Sequence, residues 1–278
     1  MAHTDVSEHR YTVLSNEPVA EGVNRLRIES DVARTIRPGQ FMNLQVLGDA
    51  SHLLRIPLSF KRADAEKNVV ELLFAVVGEG TQRLAKMAVG ESSILVGPSG
   101  RGWWLPEREG RALLVAGGIG LPPVLAAASM LAAAGVGFDA IIGARTASML
   151  VHPDVDDVVG YGIADGAADA SGGYDPERMV LVATDDGTAG HAGFTTEIMS
   201  KLVEKRSYAQ VYTCGPAVMM AGVARLASER GVDCQVSMER MMGCGFGACS
   251  CCNVALAKGG NALCCQDGPV FDAQEVAW

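Results

Sequence analysis

Between residues 11 and 95 the chain places short β-type runs, at 23–28, 40–46, 69–77 and 93–96, between clusters of turn residues. This spacing predicts an antiparallel barrel. Arg37-Pro38-Gly39 reads as a turn feeding the strand at Gln40-Phe41, and Gly97-Pro98-Ser99-Gly100-Arg101-Gly102 as the loop that closes this unit. The pattern then changes. Apolar runs at 112–116, 138–143, 180–184 and 210–214 alternate with helical stretches at 123–134, 195–205 and 217–230, which predicts a parallel α/β sheet. A Gly-, Ala- and Asp-rich stretch at 160–175 reads as a solvated insertion without chemistry. From about residue 238 cysteine and glycine take over with little periodicity, as in a small fold organised around a cofactor. The expected division is 1–105 barrel, 106–235 α/β nucleotide-binding domain and 236–278 a cluster-binding unit.

The uncharged stretch 112–138 is long enough to cross a membrane, but Gly117-Gly118-Ile119-Gly120-Leu121-Pro122-Pro123 interrupts it. It reads instead as strand, turn and helix. Residues 1–10 are polar and charged, without the apolar segment of a secretory signal, so a cytoplasmic location and no membrane association are expected. Of the 278 residues 49% are hydrophobic and 20% charged, a globular composition. The net charge of −9, with no Lys/Arg cluster, argues against nucleic acid as a partner.

Six of the eight cysteines fall between 244 and 265. In an intracellular chain this points to metal ligation rather than disulfides. Cys244-x4-Cys249-x2-Cys252, followed after twelve residues by Cys265, has the plant-type [2Fe–2S] spacing. Gly243, Gly245 and Gly247 suit a loop that turns bare amides toward sulfur. Spacing selects Cys249 and Cys252 over Cys251 but leaves Cys264 and Cys265 as alternatives. A zinc knuckle would use paired C-x2-C motifs. Cys234, isolated, reads as a small buried side chain.

Two further patterns suggest nucleotide chemistry. The strand Leu113-Leu114-Val115-Ala116 runs into Gly117, Gly118 and Gly120 ahead of a helix, which places phosphate at the helix start, although such glycines also serve close packing. Cys214, Gly215 and Pro216 end another strand, at the carboxyl edge of the same sheet, with Cys214 either beside a nicotinamide or packed in the core. In the barrel, Arg55-Ile56-Pro57-Leu58-Ser59, the run Leu73, Phe74 and Ala75, and Gly80 with Thr81 supply a cation, hydroxyls and an open backbone fit for a flavin pyrophosphate. Taken alone, Arg55 is equally a surface charge.

The order of Arg-x-Pro-Leu-Ser, Gly-Gly-Ile-Gly and Cys-Gly-Pro resembles the ferredoxin-NADP reductase superfamily over roughly residues 10–235. The tail, 239–249 together with Cys265-Gln266-Asp267-Gly268-Pro269-Val270-Phe271, resembles the electron-transfer subunits of class B dihydroorotate dehydrogenases. That resemblance implies FAD in the barrel, NAD(H) on the α/β domain and a [2Fe–2S] cluster whose fourth ligand is Cys265. It also implies an FMN-containing dihydroorotate dehydrogenase catalytic subunit as partner, in a heterotetramer serving pyrimidine biosynthesis. Asp186 and Gly187, within Thr184–Gly190, resemble the family's segment beside the nicotinamide nucleotide and equally an ordinary Asp-Gly turn. Ile56 stands where the family often has Arg. Arg-Ile-Pro-Leu is closer to the small subunits of NADH-dependent ferredoxin-NADP reductases and sulfide dehydrogenases, an alternative reading of the chain. There, however, Asp commonly takes the place of Cys244. Arg145, after the second parallel strand, leaves NAD and NADP both open. A non-redox, zinc-bound interaction module is the alternative from another class. No histidine is placed as a catalyst, since hydride transfer between stacked rings needs positioning more than acid–base groups.

Overall fold

The first strand of the computed structural model is long, and of its residues only Tyr11 and Val13 are fully buried. Residues 6–46, 54–151 and 178–278 are described; the 160–175 stretch lies outside them. The strands β1 (Ser7–Ala20), β2 (Val23–Glu29), β3 (Phe41–Leu44), β4 (Ile56–Ser59), β5 (Arg62–Asp64) and β6 (Val69–Ala75), then helix α1 (Glu79–Leu84) and β7 (Ser92–Ser99), form the first unit. The strands are ordered β4-β3-β7-β1-β2-β6-β5, with antiparallel pairings throughout. β4 also approaches β6, so the sheet curls into a half-barrel without a ladder between its two ends.

Alternation along β3 decides how this unit meets the rest. Met42 and Leu44 point into the barrel core with Leu26, Leu72 and Phe74. Phe41, on the opposite face, packs with the cysteine-rich tail.

The second unit follows in the order β8 (Ala112–Gly117), α2 (Leu121–Ala133), β9 (Phe138–Ala144), β10 (Arg178–Thr184), β11 (His191–Ala192), α3 (Thr195–Lys205), β12 (Gln210–Cys214), α4 (Ala217–Glu229) and β13 (Asp233–Ser237). β8 is buried along its whole length because both faces are covered. Leu113 and Val115 face α3 and α4, while Ala112, Leu114 and Ala116 face α2. The uncharged 112–138 stretch is thus strand, turn and helix. No helix among the described residues is long and apolar enough to cross a membrane.

The tail contributes β14 (Asn253–Ala255), β15 (Asn261–Leu263) and β16 (Val270–Asp272). The first two form a hairpin, and β16 adds antiparallel to β13, completing the order β11-β10-β9-β8-β12-β13-β16. β13 runs to Ser237, two residues past the division expected at 235/236. The tail is therefore stitched into the α/β sheet. The linker fixes the barrel to both: the Arg101 amide donates to Gly268 O, the Trp103 indole to Pro123 O at 2.7 Å, and Gln235 Nε2 to Trp104 O at 2.9 Å.

Candidate functional site: a cysteine loop beside two converging strand ends

The segment 239–252 has no helix or strand, and its course is set by glycine. Gly245 and Gly247 have φ of +79° and +91°, and added side chains would run into Asn43 and Gln266 respectively. The loop brings the thiols together in two pairs. Cys249 Sγ accepts from the Cys244 amide at 3.5 Å, and Cys252 Sγ from the Cys265 amide at 3.4 Å. Phe246 N–H points at Cys244 Sγ at 3.5 Å. Burial pulls the Cys244 thiol up, but the amides of Phe246, Cys249 and Ala248 and the Cys249 thiol outweigh it and bring it down to about 7. Burial, then the neighbouring Cys252, pushes Cys265 up to about 12.

The two remaining cysteines of the tail turn away. Cys251 Sγ donates to Met241 O at 3.6 Å, and the fully buried Cys264 Sγ to Met238 O at 3.2 Å. Among the described residues no group of three or more His, Cys, Asp or Glu is placed to hold a metal ion as it stands. Two thiol pairs, each with amides aimed at sulfur, are the donor set a two-iron cluster requires, two thiolates to each iron. The residues fit that group.

At the sheet edge the two glycine-bearing turns touch. A Cβ at Gly120 would collide with the Cys214 carbonyl and lie 2.6 Å from Gly215 N, and one at Gly117 would meet Pro216 Cδ at 3.0 Å. Gly117 and Gly120 thus serve close packing. Gly118, with φ of +52° and nothing within 4 Å of an added Cβ, is the position that stays open. Pro122 and Pro123 have no N–H, and the Leu121 amide is spent on Gly118 O, so donors for an anion at the start of α2 come from the Gly118–Gly120 turn and not from the helix itself. The first turn of α4 offers further donors: its first intrahelical bond is Met220 N–H to Pro216 O, and Ala217 and Val218 are exposed.

Cys214 is buried, and desolvation, then Glu239, raises its thiol far above the ordinary range, so it stays neutral. Glu239 opens the tail motif but has no role assigned by sequence. It keeps contact with solvent, yet the protein packed around its carboxyl raises its pKa. Asp186 and Gly187 lie beyond the end of β10, at the carboxyl edge of the sheet, but the Asp186 carboxylate accepts from the Thr188 hydroxyl at 2.6 Å and its amide at 3.1 Å. The Thr188 hydroxyl in turn accepts from the Ala147 amide at 2.8 Å, so Asp186 ties two loops together.

In the barrel, Asn43 faces Pro57 and Phe41 faces Ser59 across the β3–β4 ladder, so Pro57 and Ser59 share the outer face, while Ile56 and Leu58 pack on the barrel core. Arg55 Nε is buried without a hydrogen-bond partner, as expected of a cation waiting for phosphate. Gly80 lies over Ile56, whose Cδ1 is 3.4 Å from an added Cβ. Three expectations change here. Phe74 is fully buried in the barrel core and Leu73 packs against Trp103 and the α2 face, so neither side chain lies open to a cofactor and only the β6 backbone, ending at Ala75, borders the cleft. The Thr81 hydroxyl accepts from the Val77 and Gly78 amides at 3.0 and 3.1 Å and donates to Gly78 O at 3.0 Å, which occupies it in its own turn. A half-buried Arg55 whose Nε has no partner, the small Gly80 and contact between β6 and the Gly118–Gly120 turn fit a flavin nucleotide lying between the two units.

Residues 239–277 match the family model for the iron-sulfur cluster binding domain of dihydroorotate dehydrogenase B. The electron transfer subunit of dihydroorotate dehydrogenase B (NAD(+)) from Desulforamulus reducens is 34% identical over 251 residues, 89% of each chain. That from Clostridium acetobutylicum is 33% identical over 272 residues, covering 97% of this chain and 98% of the relative. Among solved structures, one of an NADH-dependent reduced ferredoxin-NADP oxidoreductase, described for flavin-based electron bifurcation, superposes with a TM-score of 0.80 at 29% identity, covering 96% of this chain and 89% of that one. The ferredoxin reductase of carbazole 1,9a-dioxygenase shares the fold, with a TM-score of 0.65 at 20% identity over 82% of this chain and 67% of that one. By these matches over nearly its whole length, the protein belongs to the family of electron transfer subunits of dihydroorotate dehydrogenase B.

Proposed function

We propose that this chain carries electrons between NAD(H) and the FMN of a dihydroorotate dehydrogenase catalytic subunit, in a cytoplasmic heterotetramer serving pyrimidine biosynthesis. The observation that carries this reading is the pairing of Cys244 with Cys249 and of Cys252 with Cys265. When bound, FAD exchanges a hydride with the nicotinamide and releases its electrons singly through a [2Fe–2S] cluster.

The chain's own residues supply position and shielding. Arg55 offers its buried Nε to a flavin phosphate, and Gly118 lets a nicotinamide nucleotide approach the backbone. The amides opening α4 offer donors for the nucleotide phosphates. Cys244, Cys249, Cys252 and Cys265 hold the two irons. Phe41, Cys264 and Phe271 keep water from the inner thiols. The outer side faces solvent: Cys249 is exposed, and the same loop exposes Met241 at 80% and Phe246 at 44%. An apolar rim around an accessible thiol suits a docked redox partner.

Steady-state assays on the separated and recombined subunits test this division of labour. The isolated chain is expected to reduce dyes with NADH and to leave dihydroorotate untouched; adding the FMN-bearing subunit creates dihydroorotate-dependent NAD+ reduction. Dihydroorotate oxidation by the isolated chain would contradict it. The superposition with the bifurcating oxidoreductase favours a second reading, a small subunit of such a complex. Co-purification with a larger FAD and [4Fe–4S] subunit would establish that one.

A further inference from the structure

Asn43 is a polar side chain in an apolar strand. It is 2% exposed, between Met42 and Leu44, and its Nδ2 is buried without a hydrogen-bond partner. A Cβ built at Gly245 would fall on Nδ2, Cγ and Oδ1 of this residue together, so the carboxamide lies flat against the backbone of Gly245. Gly245 follows Cys244, in the loop whose Phe246 amide already points at Cys244 Sγ. A buried amide that finds no acceptor in its own chain calls for one outside it.

We propose that Asn43 Nδ2 donates a hydrogen bond to sulfur at the Cys244 end of the iron–sulfur cluster and thereby raises the cluster's reduction potential. The inference rests on the cluster reading above. Hydrogen bonds to cluster sulfur stabilise the reduced, more negative state, and their loss moves the potential down. Asn43 is also the residue across the ladder from Pro57, on the outer face it shares with Phe41 and Ser59. One strand spacing, roughly 4.8 Å, therefore separates this donor from the strand assigned to the flavin. It is a positioning residue where the two cofactor sites meet, and Pro57, which has no N–H, cannot supply the bond from β4.

The test is a potentiometric titration of the holoprotein, followed by EPR for the cluster and by visible absorbance for the flavin, with iron and flavin content measured in each sample. Asn43→Leu removes the donor while keeping the branched heavy-atom shape, Asn43→Asp replaces it with a carboxylate, and Asn43→His restores a ring N–H. The expected result is a more negative cluster potential in Asn43→Leu and, further, in Asn43→Asp, recovery toward the parent value in Asn43→His, and an unchanged flavin potential. A cluster potential identical in all four proteins overturns the proposal, as does a shift confined to the flavin. A parent protein with no two-iron EPR signal on reduction overturns the cluster reading itself, a separate and recognisable outcome.

Discussion

Gly120 is set against the carbonyl of Cys214 so closely that no side chain fits between them. One residue opens α2 and the other ends β12, so this contact holds the two nucleotide-facing turns at a fixed separation. Gly120→Ala should force them apart, at a stability cost of about 1–3 kcal/mol from overpacking. NADH-dependent dye reduction should show a raised KM, while the iron content stays at the parent value. Thermal denaturation and steady-state kinetics check both parts.

Asp139 is fully buried at the opposite edge of the sheet. Its carboxylate accepts from Arg111 Nη1 at 3.1 Å, Arg206 Nη1 at 2.8 Å and the Tyr208 hydroxyl at 2.7 Å. Asp139→Ala takes a shared carboxylate from two arginines and the acceptor from the buried Tyr208 hydroxyl, and should cost about 3 kcal/mol in chemical denaturation. This network ties the start of β8 and β9 to the connection between α3 and β12, whereas the cysteine loop follows β13 at the far side of the sheet order. The visible spectrum of the folded variant should match the parent.

The adjacent cysteines 264 and 265 should separate cleanly. Cys264→Ala removes a buried thiol bonded to Met238 O and should leave iron at the parent level with a small loss of stability. Cys265→Ala removes the partner of Cys252 and should abolish the cluster's EPR signal while flavin remains bound. Iron, sulfide and flavin analysis of the two variants decides. Loss of iron from Cys264→Ala alone would exchange their roles.

Much of this arrangement was legible in the chain. The strand–turn–helix at 112–133 followed from glycine and proline punctuation, and the cysteine loop from spacing that only a small set of cofactors uses. β1 gave little signal because its buried apolar residues are few and its remaining positions polar. The glycines of the Gly-Gly-Ile-Gly turn were ambiguous for a physical reason: close packing and ligand access both demand a missing Cβ, and only the neighbours of each decide between them. Gly117 and Gly120 proved to be packing positions and Gly118 the open one. Pro122 and Pro123, visible in the sequence, leave α2 itself without amides for an anion and pass that part to the preceding turn, while the donors at α4 required the sheet to be assembled. The contact of Asn43 with Gly245, like the pairing of β16 with β13, joins distant parts of the chain and no local pattern carries it.

The most direct test of the central claim is the visible spectrum of protein purified without air, with iron, sulfide and flavin content, before and after adding NADH. The expected result is flavin absorption, about two irons per chain as the plant-type four-cysteine spacing implies, and bleaching of both chromophores on NADH addition. Zinc in place of iron, or a protein that stays colourless after anaerobic reconstitution with iron, sulfide and FAD, would contradict it.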